Sequence, residues 1–130
     1  MSENATIAER IRFYRTKRGM TCDTLAERVG QSRHGIMYYE NNEVEPSLDN
    51  LKSIAGALDI KPDMLFDDYY RFLDYPYSDK IKQIRAERHL PQREFGEMLG
   101  VDRRTVERWE HGRHIPPREI LDKLKALKFI

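Results

Sequence analysis

The chain has little that would stitch or anchor it. It holds a single cysteine, Cys22, in 130 residues. No intrachain disulfide can form, and one thiol does not make a thiolate metal site. This usage suits a reducing compartment. No apolar run approaches the roughly 20 residues that cross a bilayer, and the N-terminus lacks the apolar core of a secretory signal. A cytoplasmic protein with no membrane contact is expected. Nothing in the sequence reads as a strand. There is no glycine-rich loop to cradle a phosphate, and no His, Cys, Ser or acidic cluster has catalytic spacing, so an enzyme is not expected. His111 and His114 lie three apart with no acidic or thiol neighbour, which is poor metal-ligand spacing. Neither a metal nor a cofactor is expected.

Net charge is nearly absent too, at +1, yet the charges are unevenly placed. Residues 1–66 carry 9 basic and 10 acidic side chains, whereas residues 79–130 carry 13 basic and 9 acidic. The second part is therefore the basic one, and such asymmetry points to an anionic partner.

What is present is a repeat. Sliding the chain by 70 residues aligns 11–60 with 81–130 without a gap, and ten positions match: Ile11/Ile81, Arg15/Arg85, Arg18/Arg88, Glu27/Glu97, Gly30/Gly100, Arg33/Arg103, Glu40/Glu110, Pro46/Pro116, Leu51/Leu121 and Ile60/Ile130. Ordinary residue frequencies would give about three. Two copies of one small helical domain are the simplest account.

In the first copy, Ile7, Ile11 and Tyr14 have helical spacing up to Gly19. Thr21 caps a second helix carrying Leu25, Ala26 and Val29. Ser32 caps a third with Ile36 and Tyr39, and Pro46-Ser47 starts a fourth with Leu51, Ile54 and Leu58. Pro62 opens a short fifth around Met64–Phe66. The second copy repeats four: Ile81 and Ile84; then Phe95, Gly96 and Leu99 after Pro91; then Val106 and Trp109 after the cap Asp102; then Ile120, Leu121 and Leu124 after Pro117. Trp109, as the counterpart of Tyr39, is expected in the core. Lys123, Lys125 and Lys128 are expected on a solvated face. The fold class is all-α, five helices then four, with domains at 1–66 and 79–130. Five of the twelve residues in the joining segment 67–78 are aromatic. It reads either as a packed joint over the apolar surface that the second copy, lacking a fifth helix, leaves bare, or as part of a self-association surface.

Helices two and three meet at a very short turn, Val29-Gly30-Gln31-Ser32 and Leu99-Gly100-Val101-Asp102. Glycine suits the left-handed residue that ends a helix. Four residues earlier stands a small side chain, Ala26 or Gly96, that lets the next helix lie close. Six residues later Ile36 or Val106 plugs the angle between them. This is a helix-turn-helix pattern, present twice in register.

On these residues, with Glu40-Asn41-Asn42-Glu43-Val44-Glu45-Pro46 and Glu110-His111-Gly112-Arg113-His114-Ile115-Pro116 after each third helix, both copies resemble the Cro/cI/Xre (lambda-repressor-like) family of helix-turn-helix DNA-binding domains. The likeness spans 7–66 and 79–130. Asn42 stands where that family commonly has glycine, and His111 where it has Asn. The resemblance implies a buried ion pair in each copy, Arg15 with Glu40 and Arg85 with Glu110. It also implies double-stranded DNA as partner, with the third helix in the major groove. The base-reading positions would be Arg103, Arg104, Glu107 and Arg108 in the second copy, and Arg33, His34, Met37 and Tyr38 in the first. Glu107 would accept from a cytosine amine or orient a neighbouring arginine. Backbone contacts would come from Gln92, Thr105, His111, Arg113 and His114, and from Ser32 and Asn41. Cys22 occupies the place of Gln92 in the first copy, a helix start that tends to lower a thiol pKa. Glu43 and Glu45 would face an anionic backbone badly, so the second copy is expected to grip DNA harder.

The expected function is a sequence-specific transcriptional regulator, a repressor of prokaryotic or phage type, acting as a homodimer. The alternative is an antitoxin-like or regulatory protein whose N-terminal copy serves dimerisation or binds a protein partner.

Overall fold

A computed structural model describes all 130 residues, Met1–Ile130. The chain is all-helical and folds as two compact units, Met1–Tyr70 and Arg71–Ile130.

The first unit contains α1 (Ile7–Lys17), α2 (Cys22–Val29), α3 (Arg33–Glu40) and α4 (Leu48–Ala57). Each starts at a side chain that accepts an otherwise orphaned amide. Thr6 accepts from Glu9, Thr21 from Thr24, Ser32 from Gly35 and Ser47 from Asn50, all at 3.1 Å. The apolar positions one helical turn apart then meet inside: Ile11, Leu25, Ile36, Leu51, Ile54 and Leu58 are fully buried. The expected fifth helix is a single 3-10 turn, Pro62–Met64, followed by buried Leu65 and Phe66.

The joining segment is more ordered than a linker. It forms α5 (Asp68–Asp74), which runs across the division between the units. Asp67 caps it by accepting the Tyr70 amide at 3.0 Å. Tyr70 belongs to the first unit: its ring stacks on Phe66 at 6.1 Å, and its hydroxyl donates to the Pro46 carbonyl at 2.6 Å. Tyr75 alone among the segment's aromatics is largely exposed.

The second unit contains α6 (Tyr77–Glu87), α7 (Gln92–Leu99), α8 (Arg103–Glu110) and α9 (Arg118–Ala126). Helices α6, α7 and α9 follow Pro76, Pro91 and Pro117, which lack a side-chain cap; α8 is capped by Asp102. Ile81, Phe95, Val106, Trp109 and Leu124 fill its core. No fifth helix covers it. Phe129 takes part of that place, stacked on Phe95 at 5.9 Å with the Arg88 guanidinium over its ring at 4.8 Å. Of the joining segment, Phe72 and Leu73 lie in this unit and are buried.

The angle between helices two and three is set by left-handed glycines, Gly30 at φ 71° and Gly100 at φ 77°. The next amide wraps back onto the helix, Gln31 to the Ala26 carbonyl and Val101 to the Gly96 carbonyl, each at 2.9 Å. A Cβ on Gly96 would lie 2.7 Å from the Val101 carbonyl oxygen, so the close approach leaves no room for a side chain. After the third helix, Asn42 (φ 60°) and Gly112 (φ 69°) take the same left-handed conformation. Asn is among the few side chains that tolerate it, which is why it can stand in for glycine.

Candidate nucleic-acid interface

Helix α8 has two contrasting faces. Val106, Trp109 and Glu110 are buried, while Arg103, Arg104 and Arg108 extend into solvent with Glu107 half-buried beside them. Arg103 Nη1 lies 3.6 Å from Glu107 Oε2, so Glu107 partners Arg103 one turn away. The start of α8 is tied down by Asp102, which accepts both the amide and the hydroxyl of Thr105 at 2.9 Å. These hydrogen bonds, the backbone one foremost, hold the Asp102 carboxyl below its ordinary range, with Arg104 and Arg108 adding a favourable field. The Thr105 hydroxyl is therefore already engaged within the chain. The His111 Nδ1 lies 2.8 Å from the Glu107 carbonyl, which fixes the ring at the end of α8 and leaves Nε2 for an outside partner. Arg113 and His114 are exposed in the following loop, and Gln92 is half-buried at the start of α7.

In each unit a bidentate arginine–glutamate pair fixes helix one against the end of helix three. In the first, Arg15 donates to both Glu40 oxygens, at 2.6 and 2.8 Å, and to the Met20 carbonyl at 2.7 Å. In the second, Arg85 donates to both Glu110 oxygens, at 3.0 and 2.9 Å, and to the Leu90 carbonyl at 3.1 Å. Both guanidinium pKa values are raised, chiefly by the hydrogen bond to the carboxylate. The fork geometry positions α3 and α8 by their C-terminal ends.

The corresponding surface of α3 is different in kind. Arg33 and His34 are exposed, Met37 is half-buried, and Tyr38 is 45% exposed. The His34 and Tyr38 rings are 6.4 Å apart. Ser32 is occupied as a cap, and Asn41 and Glu43 are exposed. Arg33 Nε lies 3.8 Å from Asp23 on α2. Cys22 departs from the low thiol pKa that its helix start suggested. Burial and then the nearby Glu40 carboxylate push it up, and Sγ lies 3.8 Å from Glu40 Oε2.

Three groups escaped the sequence reading. Arg12 is a second cation on Glu40, at 3.3 Å. Lys123, expected to be solvated, donates to the Leu99 carbonyl at 3.0 Å and so caps the end of α7. Arg93 is exposed near the start of α7 and lines, with Glu97, Val101, Asp102 and Arg103, a shallow concavity beside α8. The first two are long-range contacts with no local signature. The third was legible, because the 70-residue offset sets Arg93 against Asp23.

A family model described as a helix-turn-helix domain matches residues 8–71, and one described as helix-turn-helix, of the Cro/cI/Xre type, matches residues 81–125. Together they cover most of the chain. The class defined by fold and site is a tandem helix-turn-helix, DNA-binding transcription regulator. More particularly, the second unit matches the Cro/cI/Xre type, and the first the broader helix-turn-helix description. No curated protein and no solved structure matches it significantly. No helix is long and apolar enough to cross a membrane.

Proposed function

We propose that the chain is a sequence-specific repressor of prokaryotic or phage type that lays α8 in the major groove of double-stranded DNA and acts by occluding its site. The observation that carries this reading is the solvent face of α8. Arg103, Arg104 and Arg108 are exposed there, on a helix whose other face is locked by Val106, Trp109 and the Arg85–Glu110 pair. An arginine projecting from such a helix reaches guanine O6 and N7 bidentately. Gln92, His111, Arg113 and His114 flank α8 as backbone contacts, His111 through Nε2. The first unit contributes Arg33, His34, Met37 and Tyr38 more weakly, with Ser32 and Asn41 toward the backbone. Action in the cytoplasm as a homodimer on a symmetric site completes the reading.

Selection of bound duplexes from a random pool, followed by binding titration, tests it. Arg104→Ala and Arg108→Ala are each expected to lose about tenfold or more in affinity. Arg33→Ala and Tyr38→Ala are expected to lose less. Uniformly weak binding to every sequence at low salt would overturn the reading.

A second reading has its own support. Tyr38 and Val44 are 45% and 50% exposed beside Glu43, an apolar and acidic surface better suited to protein than to phosphate. On this reading the first unit is a dimerisation or partner-binding module. Tyr38→Glu with Val44→Glu in the full chain would then lower the oligomer mass in light scattering without lowering the intrinsic affinity for a half-site.

A further inference from the structure

The two units differ most sharply at one aligned position. Asp23 and Arg93 are each the second residue of helix two, in α2 and α7. In the first unit Asp23 faces the first residue of helix three, with Asp23 Oδ1 3.8 Å from Arg33 Nε. In the second unit the charge is reversed, and the neighbouring pairs run along their own helices instead. Arg93 pairs with Glu97 at 3.8 Å and Arg103 with Glu107 at 3.6 Å. Arg93 and Arg103 then share the concavity between α7 and α8.

These six side chains lie between 46% and 82% exposed. Exposed pairs contribute little to stability. Arg93 is even misplaced as a helix residue, since a cation in the first turn opposes the helix dipole, whereas Asp23 in the same place suits it. The reversal therefore acts on what the surface meets and not on folding.

We propose that this position sets how strongly each unit holds DNA. Arg93 is a further contact to the phosphate backbone, beside the base-reading face of α8. Asp23 does the opposite twice over: it draws Arg33 toward α2, and it sets a negative charge against the backbone. The inference rests on the proposed reading that third helices face the major groove.

The test uses the full chain, the best duplex recovered from a random pool, and fluorescence anisotropy across a potassium chloride series. Arg93→Asp is expected to lose about tenfold in affinity and to flatten the slope of log K against log salt by about one. Its melting temperature should change little, because the gain with the helix dipole is offset by the lost pair with Glu97. Asp23→Arg is expected to gain severalfold in affinity and to steepen the slope, with a melting temperature that does not rise. This opposition of signs separates a contact with DNA from a merely structural role. Arg104→Ala is measured alongside. If it loses affinity while Arg93→Asp and Asp23→Arg leave affinity and slope unchanged, this inference fails alone. If Arg104→Ala also changes nothing, the reading it rests on fails with it.

Discussion

Glu110 is 4% exposed and takes both of its hydrogen bonds from one arginine. Removing the carboxylate leaves the Arg85 guanidinium partly buried and unpaired. Glu110→Ala is therefore expected to destabilise the second unit by about 3 kcal/mol. The double variant Arg85→Met with Glu110→Leu should lose less than either single change, because it leaves no uncompensated charge. Urea unfolding of Arg85→Met, Glu110→Leu and the double variant checks this; equal losses for the single and double variants would contradict it. Asp102 gives a pH signature at the same scale. Its carboxyl is held low in the folded chain, so its contribution is present above the ordinary carboxylate pKa of about 3.9 and is lost as pH falls through the lower folded value. Asp102→Asn keeps a capping oxygen that does not titrate. Its unfolding midpoint is expected to fall less steeply than wild type as pH drops from about 5 to 3.

Between elements, what was legible in the sequence was what is chemically local. Thr21, Ser32, Ser47 and Asp102 announce helix starts because each accepts an amide three residues on. Gly30 and Gly100 announce the turn because few other residues adopt its φ. Helix α5 was missed for the converse reason. It is seven residues long, and its cap Asp67 sits in a cluster that reads equally well as a polar turn. The partners of Arg15 and Arg85 stand 25 residues away, a separation that carries no periodicity; family resemblance named them where spacing did not. The same element logic predicts opposite outcomes for two glycines. Gly96→Ala forces a Cβ against the Val101 carbonyl oxygen, so α8 must shift, with an expected loss of about 1–3 kcal/mol and weaker DNA binding. Gly56→Ala, near the end of α4 with nothing within 4 Å, should stabilise by up to about 1 kcal/mol. Thermal melts of both variants settle the comparison.

For the whole molecule, a net charge of +1 would ordinarily argue against tight association with DNA. The repeat shows why the total misleads. Residues that keep the fold recur in both units, Arg15 with Arg85, Glu40 with Glu110, Gly30 with Gly100, whereas residues on the outer faces have diverged. Cys22, Asp23 and Glu43 of the first unit stand where the second has Gln92, Arg93 and Arg113. Salt dependence follows local cations and not the net charge, because only phosphates that are contacted release their counterions. If the second unit supplies the grip, with Arg93 and Arg113 as its cationic phosphate contacts, log K should fall against log salt with a slope on the order of −2 per bound chain. Neutralising first-unit cations away from α3, such as Lys52 and Lys61, should leave that slope unchanged, while removing Arg93 or Arg113 should each flatten it by about one. A slope that instead tracked every charge change equally, wherever it lay in the chain, would mean that the field of the whole molecule and not a defined face meets the DNA.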